Sequence, residues 1–431
     1  MTKGLTMRLI PALMMLGFAG VAGASGFALQ NQTGSGNGNA FAGAAAAAED
    51  AGTVYWNPAG MSYLGAGHSI SLSGTVLDRS IKFKNTGTTN STLNNATPTN
   101  GGDGGGTAFL PAGFWAYNIA PDTWVGIGVS PTFGNKTEYS KNFIGRNSGY
   151  YAEIEHININ PSLAFKVNDV LSLGFGADFT RATVRFKQGV PVTTGVAGQT
   201  NQNYADLESD ASWGFGGNIG AMFQLSPSTR VGLTYRSGIS FDLQGKNTLA
   251  TQLPALGLRT GNIKASGYET PGTLSMAVSQ KLSDRWEMLG DLTWTDWSVI
   301  HKIVVTSAST GATVNTLPYN FRDTWRIGLG ANYQYNDALK LRFGVAFDQT
   351  PVQGAADRTM TLPDSDRVWL SFGGKYNLSK DSSLDMGYSH IFFRDADTNR
   401  FVTSNFGGQR VVGEWNKNRA DILSVQYNHK F

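Results

Sequence analysis

The feature that most constrains this sequence is an alternation of apolar residues with small or polar ones, repeated in many separate segments. The alternation is unbroken over 325–335, 339–347 and 423–431, and it recurs over 213–225 and 231–235. Period-two alternation indicates β-strands, because successive side chains of a strand point to opposite faces of a sheet. The sequence therefore predicts an all-β chain whose sheet has one apolar and one polar face. Periodicity alone leaves open which of the two faces meets water.

The connections between these segments fall into two alternating classes. Six are tight turns, at 121–122, 168–169, 227–228, 283–284, 336–337 and 380–381. Seven are longer, polar and irregular, at 79–107, 134–150, 188–211, 245–270, 301–320, 349–366 and 394–419. These connections join 14 strands, and short turns at one end with long loops at the other are typical of outer-membrane barrels. We therefore predict a 14-stranded antiparallel transmembrane β-barrel, since a soluble β-sandwich gives no reason for this alternation.

Composition agrees with a barrel and excludes several other classes of protein. Charged residues make up 15% of the 431 residues, against about 25% in ordinary soluble domains. The formal charge of +3 gives no reason to propose nucleic acid as a partner, which would require a basic patch. The absence of cysteine excludes disulfide scaffolds, thiolate metal sites and cysteine nucleophiles.

Aromatic residues occur near several of the predicted strand ends, among them Trp115, Trp124, Trp286 and Trp297. We interpret them as girdles at the two membrane interfaces, where amphipathic rings are enriched. The alternative is that aromatic residues are simply good strand formers.

The N-terminus has the pattern of an export signal. Lys3 and Arg8 precede an apolar run over 9–24, which ends in the small-residue pattern Ala22-Gly23-Ala24. We predict a signal peptide over 1–24, and the alternative is a membrane anchor. The longest later apolar run, 40–48, is too short for a transmembrane helix. An exported chain without such a helix is either a soluble protein or crosses a membrane as a closed barrel. The alternating connections favour the barrel, so the expected location is the bacterial outer membrane.

Residues 25–63 do not alternate, and they contain five consecutive alanines at 44–48. The alanine run can form one or two helical turns. Such a segment is either a periplasmic tail or a plug inside the lumen, which a barrel of this size needs filled. The predicted organisation is a signal peptide (1–24), an N-terminal hatch or plug (25–63) and a barrel (64–431).

Several motifs resemble one known family. Residues 25–29, 36–38, 49–52 and Asn57-Pro58-Ala59 are similar to the N-terminal hatch of the FadL/TodX (OMPP1-like) long-chain fatty acid transporters of the outer membrane. The similarity continues in order through 213–216, 233–237, 321–327, 346–352 and 362–367. The resemblance implies a monomeric barrel with an internal hatch and passive uptake of hydrophobic molecules, most of all long-chain fatty acids. It also implies an extracellular groove, a lumen pocket and a lateral opening towards membrane lipid.

The same resemblance implies particular ligand contacts. By motif position, Arg185, Arg322 and Asp348 match charged residues of the family's lumen pocket, and Phe27 matches a hatch aromatic that reaches it. Arginine suits this role because its fork pairs with a carboxylate. The alternative is that each arginine pairs with a neighbouring acid, such as Asp323. Asn57, Pro58 and Ala59 match the hatch motif and are expected to act in gating.

Three prolines predict a gap in the barrel wall. Pro111, Pro131 and Pro161 fall at similar heights in three successive predicted strands. Proline donates no ladder hydrogen bond and is avoided in strand interiors. We expect Pro131, Phe133 and Gly134 to kink the third strand inward and to form a lateral opening. The alternative is that the prolines mark strand ends.

Enzymatic function is not expected. The five histidines lie in different segments, and neither a Gly-x-Ser-x-Gly elbow nor His-x-x-His zinc spacing occurs. We therefore expect no catalytic residues, no metal and no cofactor. The alternatives to fatty acid uptake are uptake of aromatic hydrocarbons by the same route, a general diffusion porin and an outer-membrane hydrolase. The hatch argues against the porin, and the missing catalytic set argues against the hydrolase.

Overall fold

The computed structural model describes residues 26–89, 98–190, 203–250, 259–404 and 407–431. The predicted signal peptide, residues 1–24, lies outside these ranges.

Fourteen long strands form a single closed wall. They are β1 (His68–Ser80), β2 (Gly106–Ala120), β3 (Thr123–Glu138), β4 (Tyr151–Lys166), β5 (Leu171–Gly189), β6 (Ser212–Ser226), β7 (Thr229–Arg236), β8 (Thr273–Lys281), β9 (Trp286–Thr295), β10 (Thr324–Gln334), β11 (Leu339–Asp348), β12 (Arg367–Asn377), β13 (Ser382–Phe393) and β14 (Arg419–Lys430). Each strand pairs antiparallel with the next, and β1 pairs with β14 from Ser69↔Lys430 to Ser80↔Arg419. The predicted 14-stranded antiparallel barrel is confirmed.

The two ends of the barrel differ, as predicted from the connections. Every predicted tight turn lies between consecutive strands, from the turn after Ala120 to the turn after Asn377. The long connections all lie at the other end, which is the extracellular end of an outer-membrane barrel.

The alternation of residues matches the two faces of the wall. Along β1, Ser69, Ser71 and Thr75 are buried in the lumen, whereas Leu72 and Val76 are exposed on the outside. Apolar side chains therefore form the outer band that contacts lipid, and polar side chains line the interior.

Two tryptophans do not lie where the girdle interpretation placed them. The side chain of Trp297 is fully buried, and its ring packs edge-on against Phe27 inside the barrel. Trp124 is 5% exposed and donates to the carbonyl of Gly65 at 3.1 Å. The girdle prediction is wrong for both, because an inward-facing tryptophan near a strand end cannot be distinguished by position alone from an outward-facing one.

Shorter strands extend the structure at the long-loop end. Five of them continue the wall next to β5, in the order Tyr204–Ser209, Leu243–Ala250, Arg259–Ser266, Lys302–Ser307 and Thr313–Pro318. Ile239–Ser240 pairs with Glu269–Thr270, and Gly407–Trp415 pairs with both Ala396–Ser404 and Lys84–Asn85. Isolated 3₁₀ turns occur at Arg146–Ser148 and Trp297–Val299. The long loops are thus more regular than their irregular sequences suggest.

The N-terminal segment, residues 26–64, is compact and largely buried. It contains α1 (Gly34–Asn37), α2 (Ala44–Ala47), α3 (Thr53–Trp56) and a 3₁₀ helix (Pro58–Tyr63). The helical turn expected in the alanine run is α2. Among the described residues, no helix combines the length and apolar character needed to span a membrane.

The N-terminal segment contacts the inner face of strands from many parts of the wall. The amide of Asn37 donates to the carbonyl of Gly387 on β13 at 2.9 Å, and that of Asn39 donates to Phe343 on β11 at 3.0 Å. On the opposite side, the amide of Asn57 donates to Ala221 on β6 at 3.1 Å. These contacts place the N-terminal segment within the ring of strands.

Candidate functional site

The wall departs from regular pairing at β3. Its ladder with β2 ends at Gly113↔Val129, although β2 continues for seven residues towards Gly106 and pairs there with β1. Continued in the same register, the ladder would place Pro111 opposite Pro131, and neither residue has an N–H group to donate. The ladder between β2 and β3 is therefore interrupted between Gly113↔Val129 and the upper end of β3, where Glu138 donates to the carbonyl of Gly104 at 3.1 Å.

The opposite edge of β3 is irregular at the same height. Pro131 pairs with Ile157 of β4 and Gly134 pairs with Glu155, so β3 carries a bulge at Thr132 and Phe133. All three prolines that predicted this gap lie inside strands, with Pro161 in the body of β4. The alternative that the prolines mark strand ends is therefore wrong.

The N-terminal segment pairs with this bulge as a short additional strand. Leu29 donates its N–H to the carbonyl of Thr132 at 2.9 Å, and Gly134 donates to the carbonyl of Phe27 at 2.8 Å. Between them, Ala28 and Phe133 form a β-bridge. Backbone groups that β2 leaves unpaired are thus satisfied from inside the barrel, as a lipid environment requires.

An apolar groove lies above this level, among the loop strands. It encloses about 640 Å³, including solvent at its mouth. It is lined mainly by aliphatic and aromatic side chains, including Ile154, Val184, Leu207, Leu243, Ile263, Tyr268 and Tyr319. Burial raises the pKa of Tyr268 well above its ordinary value, so its hydroxyl remains protonated.

Arg185 lies at the margin of this groove. Its Nη2 contacts the Oδ2 of Asp206 at 2.7 Å, its Nε contacts the Oδ1 of Asp206 at 3.0 Å, and Glu208 lies 3.5 Å away. The side chain remains 35% exposed. Arg185 therefore forms an ion pair with a neighbouring acid and still has a face open to a ligand.

A second, larger cavity lies below, between the N-terminal segment and the wall. It encloses about 930 Å³, including solvent at its mouth, within the range of small-molecule sites, about 300–1,000 Å³. Apolar and hydroxyl-bearing side chains line it, among them Leu29, Phe41, Trp56, Phe133, Ile239, Thr180, Thr234, Thr270, Ser275 and Thr293. We call it the lumen cavity.

Two arginines that the sequence analysis did not single out line the lumen cavity. Arg236 pairs with Asp178, donates to the carbonyl of Tyr55 at 2.9 Å and lies 4.5 Å from the centre of the Tyr55 ring. Arg326 pairs with Asp291 at 3.1 Å and also donates to a carbonyl of the N-terminal segment. Each arginine thus balances a buried carboxylate of the wall and holds the N-terminal segment in place.

Phe27 and Phe133, both singled out in the sequence, lie in one aromatic cluster. The Phe27 ring is 5.8 Å from that of Phe133 and 5.0 Å from that of Trp297, in edge-on packing. The cluster continues through Trp297 to Phe321, at 5.7 Å. It forms an apolar core at the level where the groove and the lumen cavity approach each other.

Arg322 and Asp348 lie apart from both cavities. Arg322 is exposed, and its Nε donates to the carbonyl of Thr350 at 3.4 Å. Asp348 is buried 3.7 Å from the Nε of Arg367, whose guanidinium also contacts Asp364 at 2.7 Å. The structure therefore does not bring Arg185 and Arg322 together around one ligand.

The Asn57-Pro58-Ala59 turn packs against a flat area of the wall. Gly174 of β5 and Gly220 of β6 are paired in register, and a Cβ at either one would lie within 2.2 Å of the turn. The side-chain oxygen of Asn57 accepts from the N–H of Ala59 at 3.1 Å. Paired glycines thus allow this turn to approach the backbone of the wall.

Comparisons with known proteins identify the family. The model of the family described as outer membrane protein transport protein (OMPP1/FadL/TodX) matches residues 15–431. The chain belongs to this family. A putative outer membrane protein of Neisseria meningitidis serogroup B is 32% identical over 428 residues, which cover 89% of this chain and 90% of that protein. The long-chain fatty acid transport protein of Escherichia coli K12 is 30% identical over 447 residues, which cover 95% of each chain.

A solved structure agrees with this assignment. The crystal structure of a Pseudomonas aeruginosa FadL homologue matches with a TM-score of 0.85 at 25% identity, and the match covers 94% of this chain and 100% of that chain. The family resemblance drawn from the motifs is therefore confirmed. As a member of the OMPP1/FadL/TodX family, the chain is an outer-membrane transporter of hydrophobic molecules and not an enzyme.

Family motifs and structure locate different parts of the site. The motifs indicated Phe27, Phe133 and Arg185, which lie at the aromatic cluster and the groove. Arg236 and Arg326 were missed although both stand in quoted motifs, at 233–237 and 321–327. Their place in the strand alternation was an available signal. Each arginine lies two residues from a polar, inward-facing residue of its strand, so it also faces inward. Their acidic partners, Asp178 and Asp291, lie 58 and 35 residues earlier in the chain and leave no such signal.

Proposed function

We propose that this member of the OMPP1/FadL/TodX family takes up long-chain fatty acids. The observation that carries the proposal is an apolar groove lying above a lumen cavity that contains the guanidinium groups of Arg236 and Arg326. An acyl chain suits the groove, and a carboxylate suits the arginines. The relative in E. coli is named a long-chain fatty acid transport protein, which supports the same substrate class.

The proposed route leaves the lumen sideways. Ligand enters the groove at Arg185, passes the aromatic cluster into the lumen cavity and leaves through the opening between β2 and β3. The missing ladder beyond Gly113↔Val129 and the bulge at Thr132 and Phe133 support an exit at this point. A lateral exit delivers an apolar molecule into lipid and not into water, so the hydrophobic cost of release is avoided.

We propose that the N-terminal segment is the hatch of this transporter. It contacts β6, β11 and β13 from inside, and Asn57, Pro58 and Ala59 lie against the paired wall glycines. The proposed organisation is a cleaved signal peptide (1–24), the hatch (25–63) and the barrel (64–431). Every barrel strand pairs with a neighbour on both sides over at least part of its length, so the ring has no free edge strand for a second chain. We therefore expect a monomer in contact with outer-membrane lipid.

Uptake by a deletion strain tests the substrate class. A strain lacking its own fatty acid transporter and carrying this chain is expected to take up labelled oleate and not labelled toluene. Uptake of toluene alone would instead assign the chain to aromatic hydrocarbons, for which the aromatic cluster around Phe27 also has suitable surfaces.

The same strain tests the proposed anchors. We expect Arg185→Ala to weaken oleate binding by about tenfold, because a charge-assisted hydrogen bond contributes about 1.5–3 kcal/mol. Arg181→Ala is the matched control, since Arg181 lies four residues away on the same face of β5 and is not part of the groove lining. Wild-type affinity in both Arg185→Ala and Arg322→Ala would exclude these two residues as anchors.

A further inference from the structure

The groove and the lumen cavity are separated by a layer of aromatic side chains, which we call the partition. It consists of Phe133, His156, Phe241 and Tyr268, with ring centres 5.0–5.8 Å from that of His156. The inward-facing neighbours of His156 along β4 are Ile154 and Asn158. Ile154 lines the groove, and Asn158 lines the lumen cavity. His156 therefore lies between the two cavities.

One nitrogen of His156 has no partner. The side chain is 1% exposed, and its Nε2 is 2.7 Å from the hydroxyl of Tyr268. Its Nδ1 is buried and has no hydrogen-bond partner within the described chain. Buried polar atoms are nearly always paired, and an unpaired one in a native site requires an explanation.

The character of the wall changes at the height of His156. Towards the groove, the inward residues Ile154 and Val184 are aliphatic. Towards the lumen cavity, Asn158, Thr180 and Asp178 are polar and bonded to one another, with Asn158 donating to Asp178 at 2.6 Å. The partition thus holds an unpaired polar atom between the apolar groove and the polar lumen cavity.

The partition is attached to the least regular part of the wall. Ile157 pairs with Pro131 and Glu155 pairs with Gly134, so His156 lies opposite the bulge of β3. Phe133, which is in that bulge, also belongs to the partition. Of the partition rings, Phe133 therefore stands on backbone that lacks a regular ladder with either neighbouring strand, where displacement costs less than in a regular strand.

We propose that His156 selects ligands that carry a hydrogen-bonding head group, by accepting or donating a hydrogen bond at Nδ1 when the partition opens. The head group would be a carboxyl or a hydroxyl. This inference deepens the proposed function, since it rests on passage of ligand from groove to lumen cavity. The role of His156 does not depend on the length of the ligand. Head-group selection and fatty acid uptake can therefore be tested separately.

The test measures binding of two matched ligand pairs to the purified full chain. The pairs are oleic acid with 1-octadecene and benzyl alcohol with toluene, and within each pair only the first member carries a head group. His156→Leu is expected to weaken binding of the polar member about three- to tenfold, the effect of one hydrogen bond, and to leave the apolar member unchanged. His156→Gln restores a polar side chain and is expected to recover most of the loss.

Tyr268→Phe separates the ligand contact from the internal hydrogen bond. It removes the hydroxyl that Nε2 contacts and leaves Nδ1 as it is. Because Tyr268 also lines the groove, both members of a pair can change in affinity, but we expect the ratio of polar to apolar affinity within each pair to stay at its wild-type value. An equal loss of affinity for polar and apolar members in His156→Leu would overturn the proposal, and so would no loss for either. A loss of affinity confined to the polar members in Tyr268→Phe would also overturn it. If the wild-type chain binds only benzyl alcohol and toluene, the fatty acid assignment is contradicted. The effect of His156→Leu on that pair still tests the role of His156.

Discussion

Each arginine that faces the lumen cavity has two kinds of partner. Arg236 and Arg326 pair with wall carboxylates, and the Nη2 of each also donates to a backbone carbonyl of the N-terminal segment. A buried guanidinium needs a charged partner, because an unpaired charge in a low-dielectric interior is costly. The charge that makes the cavity polar is therefore the same charge that keeps the N-terminal segment in place.

A third arginine shows the same arrangement near the short-turn end. Arg342 contacts Asp385 on the wall and Glu49 of the N-terminal segment, both at 2.8 Å, and Lys340 lies 3.4 Å from Glu49. We expect Glu49→Gln to destabilise the closed position of the segment by about 2 kcal/mol, because it removes a charged hydrogen-bond partner from a buried arginine. Hydrogen exchange of the α2 amides is then expected to be faster by about 30-fold.

Asp50→Asn is the matched control for this prediction. The hydrogen bonds described for Asp50 go to Ser35 and Gly52 within the segment, at 2.8 Å each. Equal protection of α2 in Glu49→Gln and in the wild type would mean that the ion pair does not hold the segment.

At the scale of single residues, the sequence predicted which residue types matter better than where they lie. Arg185, which lies at the groove, could be singled out because a motif position identified it. His156 could not, since its importance depends on Tyr268 and Phe241 from a loop more than 80 residues later. Spatial convergence of that kind leaves no local pattern.

The strands could be predicted from the sequence because each strand buries one face and exposes the other to lipid. The alternation over 325–335 and 339–347 corresponds closely to β10 and β11. The same reasoning fails just after β7. Ile239, Phe241 and Leu243 continue the apolar spacing of 231–235 but are buried inside, because the chain turns at Ser237 and Gly238 and the phase reverses.

The irregular part of β3 is the element that we propose as the lateral exit, and substitutions can restore a regular strand there. We expect replacement of Pro131 by Thr and Gly134 by Val to favour a continuous ladder with β2 and to reduce oleate uptake severalfold, while the barrel still folds. A Cβ at position 134 would approach Leu29 at 3.2 Å, so the side chain of Leu29 must shift slightly. Pro161→Thr, in the interior of β4, is the control.

Circular dichroism and oleate uptake check this prediction together. A folded double variant with normal uptake would exclude the β2–β3 opening as the exit. Normal uptake is expected in the Pro161→Thr control.

The whole molecule is a wall of 14 strands filled by its own N-terminal segment. In planar bilayers we expect the intact chain to show no large steady conductance, because the segment occupies the lumen. Replacement of residues 33–62 by a flexible Gly-Ser linker keeps the pairing of 27–29 with β3 and is expected to produce one. A large conductance from the intact chain would instead indicate a general diffusion porin.

At this scale the fold was predictable and the positions of the cavities were not. Strand number and direction follow from the alternating short and long connections, which depend only on local sequence. The groove depends on five short loop strands, from Tyr204–Ser209 to Thr313–Pro318, which come from three separate connections. Their pairing is set by the wall beneath them and not by a local signal.

The pairing of residues 27–29 with β3 also has a consequence for the order of assembly. The segment precedes β1 in the chain, yet it contacts β6, β11 and β13 and completes the hydrogen bonding of β3. We therefore expect the segment to be in place before β1 and β14 pair and close the ring. A ring that closed without residues 27–29 would leave the N–H of Gly134 and the carbonyl of Thr132 without these partners in lipid. Residues 27–29 are thus expected to contribute to folding, in addition to the proposed role of the segment in closing the pore.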